Sequence, residues 1–329
     1  MAFEDIAGQD PVVKRLRVAT EKDHLPSGLI FYGIDGVGKK KTAYELARSL
    51  NCLGADPSCS CDSCVKIAHE SHPDVLFIEP DGQYIKVDQV EPLIEHAMLR
   101  PFEGKKRIYI IDRAECIREE TASRFLKTLE EPPLFAHFIL LTAGLPSVLP
   151  TIRSRCGLFH FSELTPLMVE KLLVDRFDFG SDEARRRAAL SGGSLGRSLS
   201  LEEQDFAYYA ETSAWLDRSL LMGEMTPGEL VAMILKEGTK TKIDLPDLQS
   251  RIDLMMEMVH DGMMGTRKLP GHFSGITETF DLYIRLLQAR ALISGNVAPE
   301  MVLEELLIHS DKEPLGKWTE TFIRPLSWA

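Results

Sequence analysis

Short apolar runs, each ended by glycine, proline or charge, dominate the first half of the chain. They are Gly28-Leu29-Ile30-Phe31-Tyr32, ending at Gly33; Val75-Leu76-Phe77-Ile78; Arg107-Ile108-Tyr109-Ile110-Ile111, ending at Asp112; and His137-Phe138-Ile139-Leu140-Leu141-Thr142. Runs of this length without polar alternation predict strands covered on both faces. Helix-length stretches between them predict a parallel sheet. The first strand leads through a glycine-rich loop into the helical pattern Thr42-Ala43-Tyr44-Glu45-Leu46-Ala47. Near Leu164 the strand-like runs stop and helical spacing takes over, in a short block through Leu201 that breaks at Ser191-Gly192-Gly193-Ser194. The remainder, from about Ala210 to Ala329, again reads helical, with Pro227, Pro246, Pro270 and Pro299 marking helix starts or breaks. After Pro299, Met301, Leu303, Leu306 and Leu307 fall near one helix face. The pattern predicts an α/β domain over 1–163, a small helical lid over 164–205 and an all-helical domain over 206–329.

Composition narrows the class. The 329 residues, 44% hydrophobic and 27% charged, fit a multidomain globular chain with no low-complexity tract. No apolar run is long enough to span a membrane and the first residues carry no apolar signal core, so the cytoplasm is the expected compartment. A formal net charge of −12 repels DNA phosphates unless local basic patches or partners intervene, which argues against a stand-alone DNA binder.

The strongest motif is Gly33-Ile34-Asp35-Gly36-Val37-Gly38-Lys39-Lys40, the phosphate-loop pattern G-x-x-x-x-G-K between a strand and a helix. Gly33, Gly36 and Gly38 let backbone N–H groups converge on an anion, and Lys39 adds positive potential. The next position, Lys40, replaces the hydroxyl that normally holds magnesium. Thr42 falls roughly 200° around the helix from it, poorly placed to substitute. Asp112 at the end of the third strand suits magnesium, but Arg113 stands where such ATPases carry a water-polarising glutamate, and Glu115 comes three residues after Asp112. Thr142, closing the fourth strand, joins the expected nucleotide-binding set. ATP or ADP binding and a vestigial loop both remain open, with hydrolysis weak or absent.

Phe3-Glu4-Asp5-Ile6-Ala7-Gly8-Gln9, the phosphate loop, the cysteine cluster, His72-Pro73-Asp74, Phe125-Leu126-Lys127-Thr128-Leu129-Glu130-Glu131-Pro132-Pro133 and Ser154-Arg155-Cys156 together resemble the bacterial clamp-loader subunits of the gamma/tau and delta-prime type. The last domain resembles them loosely, through Asn296-Val297-Ala298-Pro299 and the helix after it. The resemblance implies an AAA+ fold with a C-terminal collar for oligomerisation. It also implies gamma/tau and delta subunits as partners, and a sliding clamp and primer-template DNA met through the assembled complex. It further implies that Arg155 reaches into the ATP site of an adjacent subunit; a structural salt bridge is the alternative. Damaged catalytic positions beside an intact Arg155 resemble delta-prime more than gamma/tau. In Gly193-Ser194-Leu195-Gly196-Arg197 the lid arginine is displaced by one residue from the family's position.

Cys52, Cys59, Cys61 and Cys64 suit a closed, structural zinc site, a reading the resemblance supports. The single residue between Cys59 and Cys61, where the family usually has two, is a departure; free thiols are the alternative. His69 and His72 read as surface and turn residues. Lys39-Lys40-Lys41 and Lys105-Lys106-Arg107 can meet phosphates or form solvated faces, and Arg185-Arg186-Arg187 reads as exposed charge. Methionines 255, 256, 258, 263 and 264 suit either an adaptable interface or ordinary core filling.

Overall fold

The computed structural model describes residues 3–54, 59–217, 245–264, 276–294, 297–298, 301–302 and 306. The chain divides into two compact units, Met1–Leu201 and Glu202–Ala329. In the first, strands β1 (Gly28–Tyr32), β2 (Val75–Ile78), β3 (Arg107–Ile111), β4 (Ala136–Thr142) and β5 (Gly157–His160) form one sheet in the order β2-β3-β4-β1-β5. Every pairing is parallel.

The unbroken apolar runs have a direct cause. Leu29, Phe31, Ile108, Ile110, Ile139 and Leu141 face one core, with helices α1 (Asp10–Glu21), α2 (Lys39–Asn51) and α3 (Asp62–Ala68) supplying Leu16, Leu46 and Ile67. Their alternates, Ile30, Tyr109, Ile111, Phe138 and Leu140, face a second core completed by α4 (Val87–Ala97), α5 (Glu119–Glu130) and α6 (Pro150–Arg153). A sheet buried on both sides leaves no polar face, so period-two alternation vanishes from the sequence. The four expected strands form where the pattern placed them. The fifth, β5, went unpredicted because a four-residue edge strand with only Phe159 buried carries too little periodicity.

Helices α7 (Pro166–Phe177), α8 (Ser181–Leu190) and α9 (Leu195–Ser200) enclose a small core of Leu164, Val169, Leu172, Leu173, Ala184 and Ala188. The Thr165 and Ser194 hydroxyls cap α7 and α9 by accepting from the Met168 and Arg197 N–H groups. In the second unit, α10 (Glu203–Trp215) is followed by the helices Leu245–Met263 and Ile276–Ser294, the former with Pro246 in its first turn. Met255, Met256 and Met258 are buried there with Ile252, Leu282 and Leu286, so these methionines fill a core and offer no interface. Pro227, Pro270, Asn296, Pro299, Leu303 and Leu307 lie outside the described residues.

One buried carboxylate fixes the entry to β3. Asp74 accepts from the N–H groups of Phe102, Glu103 and Gly104 at 2.7, 2.9 and 2.8 Å and lies 3.5 Å from Arg107 Nε. Beside it, Asn51 Oδ1 accepts from the Lys105 and Lys106 N–H groups at 2.8 Å each. Burial opposes the Asp74 charge, but the three backbone donors and Arg107 outweigh it and hold the carboxyl below its ordinary value. A depressed folded-state value stabilises the protein above the unfolded carboxyl value, about 3.9, and that contribution is lost as pH falls through the folded value. We therefore expect Asp74→Ala to destabilise the first unit by about 3 kcal/mol at neutral pH, because three backbone donors lose a charged acceptor. Urea unfolding followed by circular dichroism should show that difference shrinking as pH drops below about 4.

Candidate functional site

The phosphate loop lies at the C-terminal end of β1, and its glycines are there for steric reasons. Gly33 has φ 149°, and a Cβ on it would lie 2.1 Å from the Phe161 carbonyl oxygen. Gly36, at φ 78°, is pinned by the start of α9: a Cβ would lie 2.3 Å from Ser194 Oγ and 2.8 Å from Gly196 Cα. Gly196 N–H donates to the Gly36 carbonyl at 3.0 Å. Gly38 caps α2 with φ 102° and has open space around it. Gln9 links the loop to the segment after β5, its Nε2 donating to the Val37 carbonyl at 3.5 Å and to the Ser162 carbonyl, and its Oε1 accepting from the Ser162 N–H.

Lys39 is buried, and its ammonium donates to the carbonyls of Gly33 and Ile34 at 2.5 and 2.9 Å and to Asp35 Oδ1 at 3.0 Å. Lys40 turns away from the loop. Its Nζ lies 4.0 Å from the Phe77 ring centroid and 3.4 Å from Glu70, so its charge ties α2 to β2 and to the turn after α3. The Thr42 hydroxyl donates back to the Gly38 carbonyl at 2.9 Å and is fully buried. The Thr42 hydroxyl is thus spent on the loop's own backbone, and Lys40 carries none.

Asp112 follows β3 directly, and its N–H donates to the Ile78 carbonyl at 2.8 Å. Arg113 is exposed with φ 49°. Thr142 ends β4 opposite Tyr32, and its carbonyl accepts from Gly33 N–H at 3.3 Å, tying that strand to the loop. Its hydroxyl is spent locally on Gly144. Parallel polarity thus gathers Gly33, Asp112 and Thr142 at one end of the sheet.

Arg155 occupies the other end. It precedes β5, whose Gly157 pairs with Leu29, and a Cβ on Gly28 would lie 3.5 Å from the Arg155 carbonyl oxygen. The five residues of β1 separate that point from Gly33, about 16 Å at the rise of an extended strand. Glu130, at the end of α5, holds the guanidinium: Nε donates to Oε1 at 2.8 Å and Nη2 contacts the same oxygen. Sequence reasoning assigned Glu130 no individual role; its place in the Leu-Glu-Glu-Pro-Pro string was the available signal.

The cysteine thiols of residues 52, 59, 61 and 64 converge, with all sulfurs within 4.8 Å of one another. Four sulfurs about 2.3 Å from a zinc ion lie roughly 3.8 Å apart, so a small contraction fits the cluster to a metal despite the short Cys59–Cys61 interval. Gly54 permits the approach, since a Cβ there would lie 2.7 Å from Cys59 Sγ. The N–H groups of Leu53 and Cys64 lower the Cys61 thiol to about 6, towards the thiolate that binds metal, while burial raises Cys64. His69 is exposed and His72 buried, neither among the clustered ligands.

In the triplet before β3, each side chain bonds a backbone carbonyl. Lys105 donates to the Cys52 carbonyl, Lys106 to the Leu134 carbonyl and Arg107 to the Arg100 carbonyl. Arg187 binds Glu183 and the carbonyls of Ser198 and Leu201, joining α8 to the end of α9, and so is not the simple exposed charge expected from sequence.

The family model described as DNA polymerase III, delta subunit, matches residues 8–165. The delta' subunit of Bacillus subtilis is 35% identical over 208 residues, covering 63% of this chain and 62% of that protein. The gamma/tau subunit of Mycoplasma genitalium is 34% identical over 210 residues, covering 61% of this chain and 35% of that protein. The match thus spans less than two thirds of either relative. A solved structure described as a DNA polymerase III gamma subunit-related protein of Thermotoga maritima aligns at 18% identity and TM-score 0.48, covering 90% of this chain and 98% of that one. Over residues 8–165, the chain is thus similar to DNA polymerase III subunits of the delta' and gamma/tau kind.

Proposed function

We propose that the chain is a cytoplasmic, delta'-type clamp-loader subunit: a stator that lends Arg155 to the nucleotide site of a neighbouring ATPase subunit and hydrolyses little or no ATP itself. One observation carries this reading, the separation of Arg155 from its own phosphate loop by the length of β1. A side chain anchored at the entry of the sheet cannot stabilise charge at its exit, so any phosphate it meets belongs to another chain. Arginine suits the task because its planar, permanently charged fork matches phosphate oxygens. The diverted Lys40, the buried Thr42 hydroxyl and Arg113 after Asp112 support the loss of hydrolysis at home. Residues 33–39 would hold the phosphates of a bound ATP or ADP, with Asp112 and Thr142 beside them.

In this reading gamma/tau and delta subunits are the direct partners, joined through the helical C-terminal region, 206–329. The sliding clamp and primer-template DNA are met through the complex. The lid is the segment 164–205. The four cysteines hold a structural zinc ion that ties the end of α2 to the start of α3.

Three outcomes test these assignments. In a complex reconstituted with gamma/tau and delta subunits, Arg155→Ala should cut turnover at the adjoining site by about 10³-fold, the lower end for trans arginines. The steady-state ATPase of the complex would then fall to the share of the remaining sites, while the circular dichroism of the isolated variant stays unchanged. The isolated wild-type chain, given ATP and magnesium, should release phosphate at background rate; turnover abolished by Lys39→Ala would select a gamma-type ATPase instead. Metal analysis should find one zinc per chain. Cys64→Ser should remove it and lower the melting temperature on the order of 10 °C, measured by calorimetry.

A further inference from the structure

The hydrogen bonds of Arg155 describe a side chain that is put away. Its Nε and Nη2 both address Glu130 Oε1, while Nη1 donates to the Thr151 carbonyl at 2.9 Å and to Ser154 Oγ at 3.1 Å. A guanidinium has five N–H groups, and these contacts engage four, leaving one on Nη2. The positive charge the proposed role requires is thus offset by a carboxylate of the same chain. Both side chains remain open to solvent, Arg155 at 33% and Glu130 at 49% exposure, so an incoming anion can reach the pair. Exposed ion pairs add little to stability, so the fold does not depend on this one. A terminal phosphate with its bound nucleotide carries more negative charge than one carboxylate and matches the same fork geometry.

Resting on the trans role of Arg155, we propose that Glu130 is a positioning residue that stows the arginine in cis. The terminal phosphate of a nucleoside triphosphate held by the neighbouring chain must displace the Glu130 carboxylate before Arg155 can act. The stow is a brake: it lowers the rate at the neighbouring site whenever the subunit interface is loose, and it is released when the interface brings the phosphate close. No bond is made or broken in the exchange; one anion replaces another on the same fork. Glu130 touches only the arginine in this scheme, never the nucleotide.

The test is a set of variants of the full chain in complex with its ATPase partner subunits: Glu130→Gln, Glu130→Asp, Arg155→Ala and the double variant of Glu130→Gln with Arg155→Ala. Glu130→Gln keeps an acceptor of the same size and removes the charge, so the ATPase measured without clamp or DNA should rise several-fold. Glu130→Asp should fall between it and the wild type. The rise should vanish in the double variant, which should match Arg155→Ala alone; a purely structural role would not give that dependence. A Glu130→Gln rate at or below the wild-type rate, with Arg155→Ala still impaired, would overturn the stow and leave the trans role standing. An Arg155→Ala complex with wild-type activity would instead sink the trans role. If the Glu130 variants do not assemble, exchange of the Arg155 Nε–H in the isolated wild-type chain decides the matter, its signal assigned by its loss in Arg155→Lys. Slow exchange supports the stow, and exchange as fast as in fully exposed arginines overturns it.

Discussion

A parallel sheet buried on both faces has only its two ends left for chemistry, and that constraint organises the first unit. Phe31, Ile110 and Ile139 commit one face to a core, and Ile30, Tyr109 and Phe138 commit the other. What remains accessible is the row of loops where the strands finish and the row where they begin. The finishing row carries the glycine loop, Asp112 and Thr142; the starting row carries Glu130, Arg155 and the segment cradled by Asn51 and Asp74. Because all the strands run the same way, these rows face opposite directions. The glycine loop and Arg155 are therefore kept from meeting within one chain.

Each row is braced by groups whose chemistry is spent inside the protein. Lys39 is satisfied by the loop's own carbonyls, Gly36 is held against the start of α9, and Gln9 ties the loop to the segment after β5. At the other end, Asp74 and Asn51 absorb five backbone N–H groups that would otherwise be orphaned where the chain enters β3. The cysteine cluster lies next to this brace, since Cys52 follows Asn51 and its carbonyl accepts from Lys105. A metal there would stiffen the same corner that positions the start of β3, which gives it a mechanical use without catalysis.

Lys40 shows how a residue beside the glycine loop can be committed to packing instead. The lysine reaches from α2 over the Phe77 ring of β2 and against Glu70 in the turn after α3, with Tyr44 stacked on Phe77 nearby. Its charge and length serve packing, so a hydroxyl residue at this position would lose the contacts with Phe77 and Glu70.

The sequence by itself determined the strands with buried faces, the glycine loop with a lysine after Lys39, and the cysteine grouping, because each is a local matter of periodicity, backbone freedom or spacing. It even carried Arg155, through a short string of neighbours. Only the tertiary structure decided that Arg155 sits a strand's length from its own loop, that Glu130 meets it from 25 residues away, and that Gly36 touches Gly196. It also decided that Lys105, Lys106 and Arg107 are structural donors and that Met255 and Met256 are core. Those outcomes depend on strand order and on which helix covers which face, and pairings across such distances leave no periodic trace along the chain.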